Sequence, residues 1–156
     1  MTTSTYAPPE EDLQATSTTA TTGNKQLAVD WLDQVSRHDI EAMLATTTSD
    51  WQMHGGPPNL ATGRAGIISL FEHIGPVQQT WTVEDVIAEG DRVVIRATNL
   101  CEQESFFGLP AAGVQQVFTA TFTFRIRNGM VAEIWRNADD LGRYLQIGGV
   151  LTNLKP

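Results

Sequence analysis

The stretch Phe118-Thr-Ala-Thr-Phe-Thr-Phe-Arg-Ile-Arg-Asn-Gly-Met-Val-Ala-Glu-Ile-Trp-Arg-Asn-Ala-Asp-Asp140 decides the fold. Between Phe118 and Ile126, apolar residues alternate with threonine and arginine. Phe118, Ala120, Phe122, Phe124 and Ile126 therefore share one face of an extended chain, and Thr119, Thr121, Thr123, Arg125 and Arg127 the other, the period of a half-buried strand. Asn128-Gly129 supplies the two positive φ angles of a type I′ hairpin turn. The return strand, Met130 to Asn137, runs into Asp139-Asp140, and Leu141, Leu145 and Ile147 follow at roughly helical spacing. Two carboxylates stand where a sheet edge meets a short helix.

Working upstream, Arg92 to Glu102 reads as a long strand with Val93, Ile95 and Ala97 opposite Val94, Arg96 and Thr98. Glu89-Gly90-Asp91 turns it back onto a strand over Thr82 to Ala88, and Phe106 to Gly113 reads as a loop. Before the strands come helices. Leu27, Ala28, Trp31, Leu32 and Val35 make an amphipathic helix from about Asn24 to His38, and Asp39 caps a second over Ile40 to Ala45. Trp51 to His54 forms a short strand that Gly55-Gly56-Pro57-Pro58 breaks, and Gly63-Arg64 leads into a third helix carrying Ile67, Ile68, Phe71 and Ile74. Helices first and a mostly antiparallel sheet after them is α+β logic. Residues 1–23, rich in Thr, Ser, Ala and Pro, are expected to be a disordered tail, and residues 24–156 a single domain. A curved sheet wrapped by three amphipathic helices leaves a cavity on its concave side, where a small hydrophobic ligand would bind.

Composition narrows the functional classes. The chain has 156 residues, a formal net charge of −8 and one cysteine, Cys101. Such a charge repels nucleic acid and anionic membrane, so neither is expected as a partner. One cysteine allows no intrachain disulfide and no cysteine metal cluster. His38, His54 and His73 are scattered, so no metal is expected, and the glycine pairs lack the spacing of a phosphate loop. No cofactor is implied. The start, Met1-Thr-Thr-Ser-Thr-Tyr, lacks the basic segment and apolar run of a secretory signal, and the expected location is cytoplasmic.

Several short motifs occur in a telling order: Trp51-Gln-Met-His54, Gly63-Arg64, Val83-Glu-Asp85, Glu89-Gly-Asp-Arg-Val93, Phe106-Phe-Gly-Leu-Pro110 with Gly113, Phe124-Arg125 with Gly129, Trp135 to Asp139, and Gln146-Ile-Gly148. In this order, over about residues 25 to 150, the chain resembles the nuclear transport factor 2-like superfamily, and within it the SnoaL-like polyketide cyclases. The resemblance implies a cone-shaped, cystatin-like α+β barrel, a homodimer packed through the exposed sheet face with its Thr119 to Thr123 stripe, and cofactor-independent chemistry on a carbonyl-bearing polyketide. It places the general base four residues after the tryptophan, at Asp139. The His of the family's Thr-His pair ahead of the Phe-X-Gly loop is replaced, the pair standing here as Cys101-Glu102. Limonene epoxide hydrolase-like proteins are also similar, at Trp135, Arg136 and Asp140, and imply water activation by Asp140 with Arg96. Their second acid falls at Thr98, and their Tyr and Asn at Trp51 and Met53.

Physical readings of the same residues stay open. Asp139 or Asp140 can be a helix cap or a base. Arg96 can project outward or line the cavity as a fixed cation for an enolate or alkoxide. His54 sits near the expected cavity mouth, where it would bind oxygen. Trp51, Trp135, Phe71, Phe106 and Phe107 are the candidate walls for a flat ligand. Glu133 shares strand parity with Trp135 and pairs with Arg125 or Arg127 if both face outward. The enzyme readings are a cyclase or isomerase using Asp139, and an epoxide hydrolase-like or hydroxylase-like enzyme using Asp140 and Arg96. A non-catalytic ligand-binding module is the third.

Overall fold

The computed structural model describes residues 10–152. In chain order it contains α1 (Glu10–Arg37), α2 (Ile40–Ala45), β1 (Thr47–His54), α3 (Gly63–Ile74), β2 (Gln78–Glu89), β3 (Arg92–Glu102), β4 (Ser105–Phe106), β5 (Leu109–Pro110), β6 (Gln116–Arg127), β7 (Met130–Ala138) and α4 (Asp140–Gln146). Five strands form one curved, unclosed sheet in the order β1-β7-β6-β3-β2. β1 lies parallel to β7, and the other neighbours are antiparallel. The expected α+β architecture holds.

The turn at Asn128-Gly129 has φ of 53° and 71°, and Arg127 faces Met130 across it, the two-residue hairpin read from the sequence. Beyond it the strands do not stay in simple register. Ile126 pairs with Val131 but Arg125 pairs with Glu133, so Ala132 is an extra residue, a β-bulge. Because side chains alternate at every residue, one inserted residue exchanges the faces of everything after it. Ile134, Arg136 and Ala138 consequently stand opposite the buried Phe124, Phe122 and Ala120, and Glu133, Trp135 and Asn137 lie on the outer face with Arg125, Thr123 and Thr121. A second bulge, at Glu84, interrupts the β2–β3 ladder between Val83 and Asp85.

The inner face presents Val93, Ile95, Ala97, Phe122, Phe124, Val131 and Ile134 to Ala28, Trp31, Leu32 and Val35 of α1, Met43 of α2, and Ile67, Leu70 and Phe71 of α3. Trp31 sits at the centre, stacked 6.5 Å from Trp51 and edge-on to Phe124 at 5.8 Å. Asp39 caps α2 by accepting the Ala42 N–H at 3.1 Å, as its side-chain chemistry indicates.

Helix α1 departs from expectation. It begins at Glu10, not near Asn24, so residues 10–23, expected to be part of a disordered tail, form its first half. No proline interrupts residues 10–37, and a helix already nucleated around the buried Trp31 extends at little cost per residue even without an apolar face. The remainder of that expected tail, residues 1–9, lies outside the described residues.

Candidate functional site

Where the apolar core ends, the concave side of the sheet opens into a cavity of about 520 Å³. Trp31, Leu32 and Val35 of α1, Leu70 and Ile74 of α3, and Trp81, Phe118 and Phe122 of the sheet form its apolar wall. Two glycine-bearing segments frame it: the Gly55 to Pro58 turn after β1, and the β4–β5 hairpin with Phe106, Phe107 and Gly108. Phe107 and Gly108 form that hairpin's tip with φ of 47° and 77°, and Phe107 is largely exposed. The segment expected as a loop is thus a small hairpin carrying two aromatic side chains.

Polar side chains enter this cavity in three clusters, with the exposed His73 and Ser105 at its edge besides. Asp140, the first residue of α4, is held by both guanidinium nitrogens of Arg136 at 2.9 and 2.7 Å, a bidentate pair one helical turn apart in sequence. Arg136 reaches the cavity because the bulge at Ala132 puts it on the inner face, and its Nη1 also donates to the Gly55 carbonyl at 3.2 Å. Gln79 and Asn99 form the second group. Asn99 Nδ2 donates to Gln79 Oε1 at 3.1 Å, leaving Asn99 Oδ1 and Gln79 Nε2 without a partner among the described residues. Trp31 Nε1 is likewise buried and unpaired. A buried donor or acceptor without a partner is costly, and these three atoms belong to side chains of the cavity wall.

Arg143 is the third group. Its side chain is 7% exposed, donates from Nε to Gln116 Oε1 at 2.7 Å, and donates from Nη2 to Gln103 Oε1 and to Cys101 Sγ. It lies over the rings of Phe106 and Phe118 at 4.0 and 4.7 Å. Burial holds its pKa below the usual arginine value, opposed by Cys101 and Asp140. Burial also pushes the Cys101 thiol up, against the pull of Arg143. A neutral thiol is a poor nucleophile. Labelling of this single cysteine by Ellman's reagent at pH 8 should therefore be about tenfold or more slower in the folded protein than in urea. Equal rates would show that the wall around Cys101 opens freely.

The expected site residues divide sharply. Asp140, Phe106 and Phe107 line the cavity. Asp139 does not: it is exposed, its carboxylate accepts the Gly142 N–H at 2.8 Å as the cap of α4, and it borders a small depression on the outer face with Arg96, Thr119, Thr121 and Asn137. Arg96 points outward and pairs with Glu84 and Asp85. His54 and Trp135 are also on the outer face, stacked at 5.1 Å. His54 bonds Glu133 at 2.7 Å, Arg125 pairs with the same carboxylate, and Arg92 covers Trp135 at 4.9 Å. Trp51 is fully buried against Trp31, and Phe71 is buried against His38, so both belong to the core. The residues missed from sequence are Arg143, Gln79 and Asn99; Arg136 entered only as part of the epoxide hydrolase-like motif, and Trp81 only as core or cavity wall, without a place in the site. For Arg143 a signal existed: it follows Asp140 by three residues, the spacing of one helix face.

Residues 28–134 match the family model of the SnoaL-like domain. That stretch builds the cavity walls from α1 to β7 and ends before Arg136, Asp140 and Arg143. No protein of the curated set matches the chain in sequence. Among solved structures, TsrD from Streptomyces laurentii is similar with a TM-score of 0.73 and 23% identity over 83% of this chain and 97% of that one. A proposed SnoaL-like polyketide cyclase from Jannaschia sp. CCS1 gives a TM-score of 0.71 and 21% identity over 83% and 94%. An LEH-like epoxide hydrolase of M. tuberculosis gives 0.66 and 16% over 82% and 91%. At these identities the likeness concerns the fold.

Proposed function

The chain belongs to the SnoaL-like domain family, and from that premise we propose that it is a cofactor-independent enzyme of the cyclase and isomerase type, acting on a hydrophobic, carbonyl-bearing polyketide with Asp140 as the general base. One observation carries this reading: among the described residues lining the cavity, Asp140 is the only carboxylate. A base must reach the proton it removes, and Asp139, turned to the outer face, does not.

The chemistry follows from the groups present. Asp140 takes a proton from carbon beside a ketone, and the C–H electron pair moves onto the carbonyl oxygen as an enolate. Three of the five N–H donors of Arg136 are engaged by Asp140 and Gly55, and the other two remain to meet that developing oxyanion. The enolate carbon then attacks a second carbonyl of the same molecule, forming a C–C bond, and Asp140 returns its proton to the new alkoxide. Trp31, Trp81, Phe118 and Phe122 exclude water and hold a flat substrate folded for closure. The bidentate clasp fixes the carboxylate so that it does not reorganise during the step.

The water-activating alternative needs Arg96 beside Asp140, and Arg96 stands on the opposite face of the sheet. The experiment separates the readings. Bicyclic β-ketoesters and 1,3-diketones incubated with the protein in deuterated water should exchange their α-protons faster than in buffer, followed by NMR, and in H₂¹⁸O they should gain no more solvent oxygen than the same compounds gain by carbonyl hydration in buffer alone. Incorporation of ¹⁸O above that level would assign the site to hydration. No exchange and no turnover across the series, with binding intact, would make the protein a ligand-binding module.

A further inference from the structure

Arg143 is a buried cation without a countercharge. None of the ion pairs among the described residues includes it. Its partners are two amide carbonyls and a thiol, which satisfy donor geometry but carry no full negative charge. The nearest acid along α4, Asp140, is already clasped by Arg136. Two ring faces, those of Phe106 and Phe118, offset part of the lost hydration. With Arg136 and Asp140 cancelling each other, the cavity retains one uncompensated positive charge on a group that does not deprotonate in proteins. An ion taken out of water in this way is strongly disfavoured unless something pairs with it.

The free atom is specific. Nε and Nη2 are engaged by Gln116, Gln103 and Cys101, while Nη1 has no hydrogen-bond partner among the described residues, and the residue lines the cavity. Nη1 is therefore the nitrogen available to an acceptor in the cavity. A fixed guanidinium with a single open edge, braced on the other edges by glutamines, is an anion receptor built into an apolar wall.

We propose that the substrate carries a permanent anionic oxygen group, a carboxylate, that docks on Arg143 Nη1 while its ketone lies toward Asp140. This rests on the reading of the cavity as the substrate site and narrows the substrate class to keto acids of polyketide type. The three-residue spacing puts Arg143 and Asp140 on one face of α4, so the docked acid and the reacting carbon belong to the same end of the ligand.

The test is a matched pair of flat probes, anthraquinone-2-carboxylate and anthraquinone-2-carboxamide, titrated by quenching of tryptophan fluorescence and by calorimetry. The wild-type protein should bind the acid about 10- to 100-fold more tightly than the amide, the range of a charge-assisted hydrogen bond. R143M should lose that preference while keeping its affinity for the amide within about threefold, and R143K should retain part of it. D140N protein should keep the preference or increase it, because Arg136 loses its countercharge, so failure of the proposed catalysis and failure of this inference are read separately. Equal affinities of the wild type for the two probes, or a preference that R143M leaves unchanged, would overturn the inference. The wild-type comparison decides even if an Arg143 variant does not fold.

Discussion

Asp140→Asn is expected to lower kcat by about 10²- to 10⁴-fold, the contribution of a positioned general base, with KM changed much less. The amide keeps the size and planarity of the carboxylate and one acceptor for Arg136, so the cavity persists, but it cannot take a proton from carbon. The neighbouring position gives the contrast. Asp139 is the cap of α4, and asparagine caps nearly as well as aspartate. Asp139→Asn should therefore leave kcat within about threefold and stability within a few tenths of a kcal/mol, and Asp139→Ala should cost about 1 kcal/mol through the lost bond to Gly142. Both Asn variants are measured in the α-proton exchange assay, and their melting temperatures are compared. A collapse of exchange at Asp139 with Asp140 unaffected would reverse the assignment and restore the residue the family resemblance selected.

The two adjacent acids show what the sequence makes legible and what it does not. Alternation along β6 assigned every inward residue from Phe118 to Ile126 correctly, because one buried face and a two-residue turn leave no freedom of register. The bulge at Ala132 leaves no comparable mark, since alanine fits either face, yet it decides the site. Without it Glu133 and Trp135 would face the cavity and Arg136 would face outward. With it, Trp135 joins His54 and Arg92 outside, and Arg136 turns inward to clasp Asp140.

Helix α4 misleads for a related reason. Leu141 and Leu145 mark an apolar face, but they are about half exposed, and the buried position belongs to Arg143. Hydrophobic spacing identifies the face that packs only when packing drives the helix. Here the inward face is chosen by what the cavity needs, a carboxylate and a guanidinium. The amides escaped as well: Asn99 and Gln116 are buried and Gln79 and Gln103 half-buried, and a polar amide at the end of an alternating strand or just beyond it carries no sign that it faces inward.

A large loss of stability is expected from Gly55→Ala. Gly55 ends β1 with φ of 72°, and a Cβ built there would stand 2.1 Å from the backbone carbonyl oxygen of Arg136. That carbonyl belongs to β7, whose parallel pairing with β1 joins His54 to Trp135 one residue earlier. No rotamer relieves a backbone clash, so the strands must separate and break the Arg136 bond to the Gly55 carbonyl. Strain at positive φ plus the lost pairing should cost about 3 kcal/mol or more.

Gly108→Ala is the control for conformation alone. Its φ is 77°, but nothing lies within 4 Å of the added atom, so the cost should be about 1–2 kcal/mol. Gly63→Ala is the control for clash away from the site, with φ of 64° and the Ser49 carbonyl oxygen 2.0 Å from the new Cβ. Urea unfolding ranks the three. Gly55→Ala and Gly63→Ala should both fall well below Gly108→Ala, and if all three cost the same, close backbone approach is not what holds the end of β1 to β7. Activity separates the first two. Moving β1 away from Arg136 loosens the clasp on Asp140, so exchange measured where both proteins are fully folded should drop in Gly55→Ala and persist in Gly63→Ala. Equal activity in that pair would mean that the turn after β1 only covers the cavity and does not hold Arg136 against Asp140.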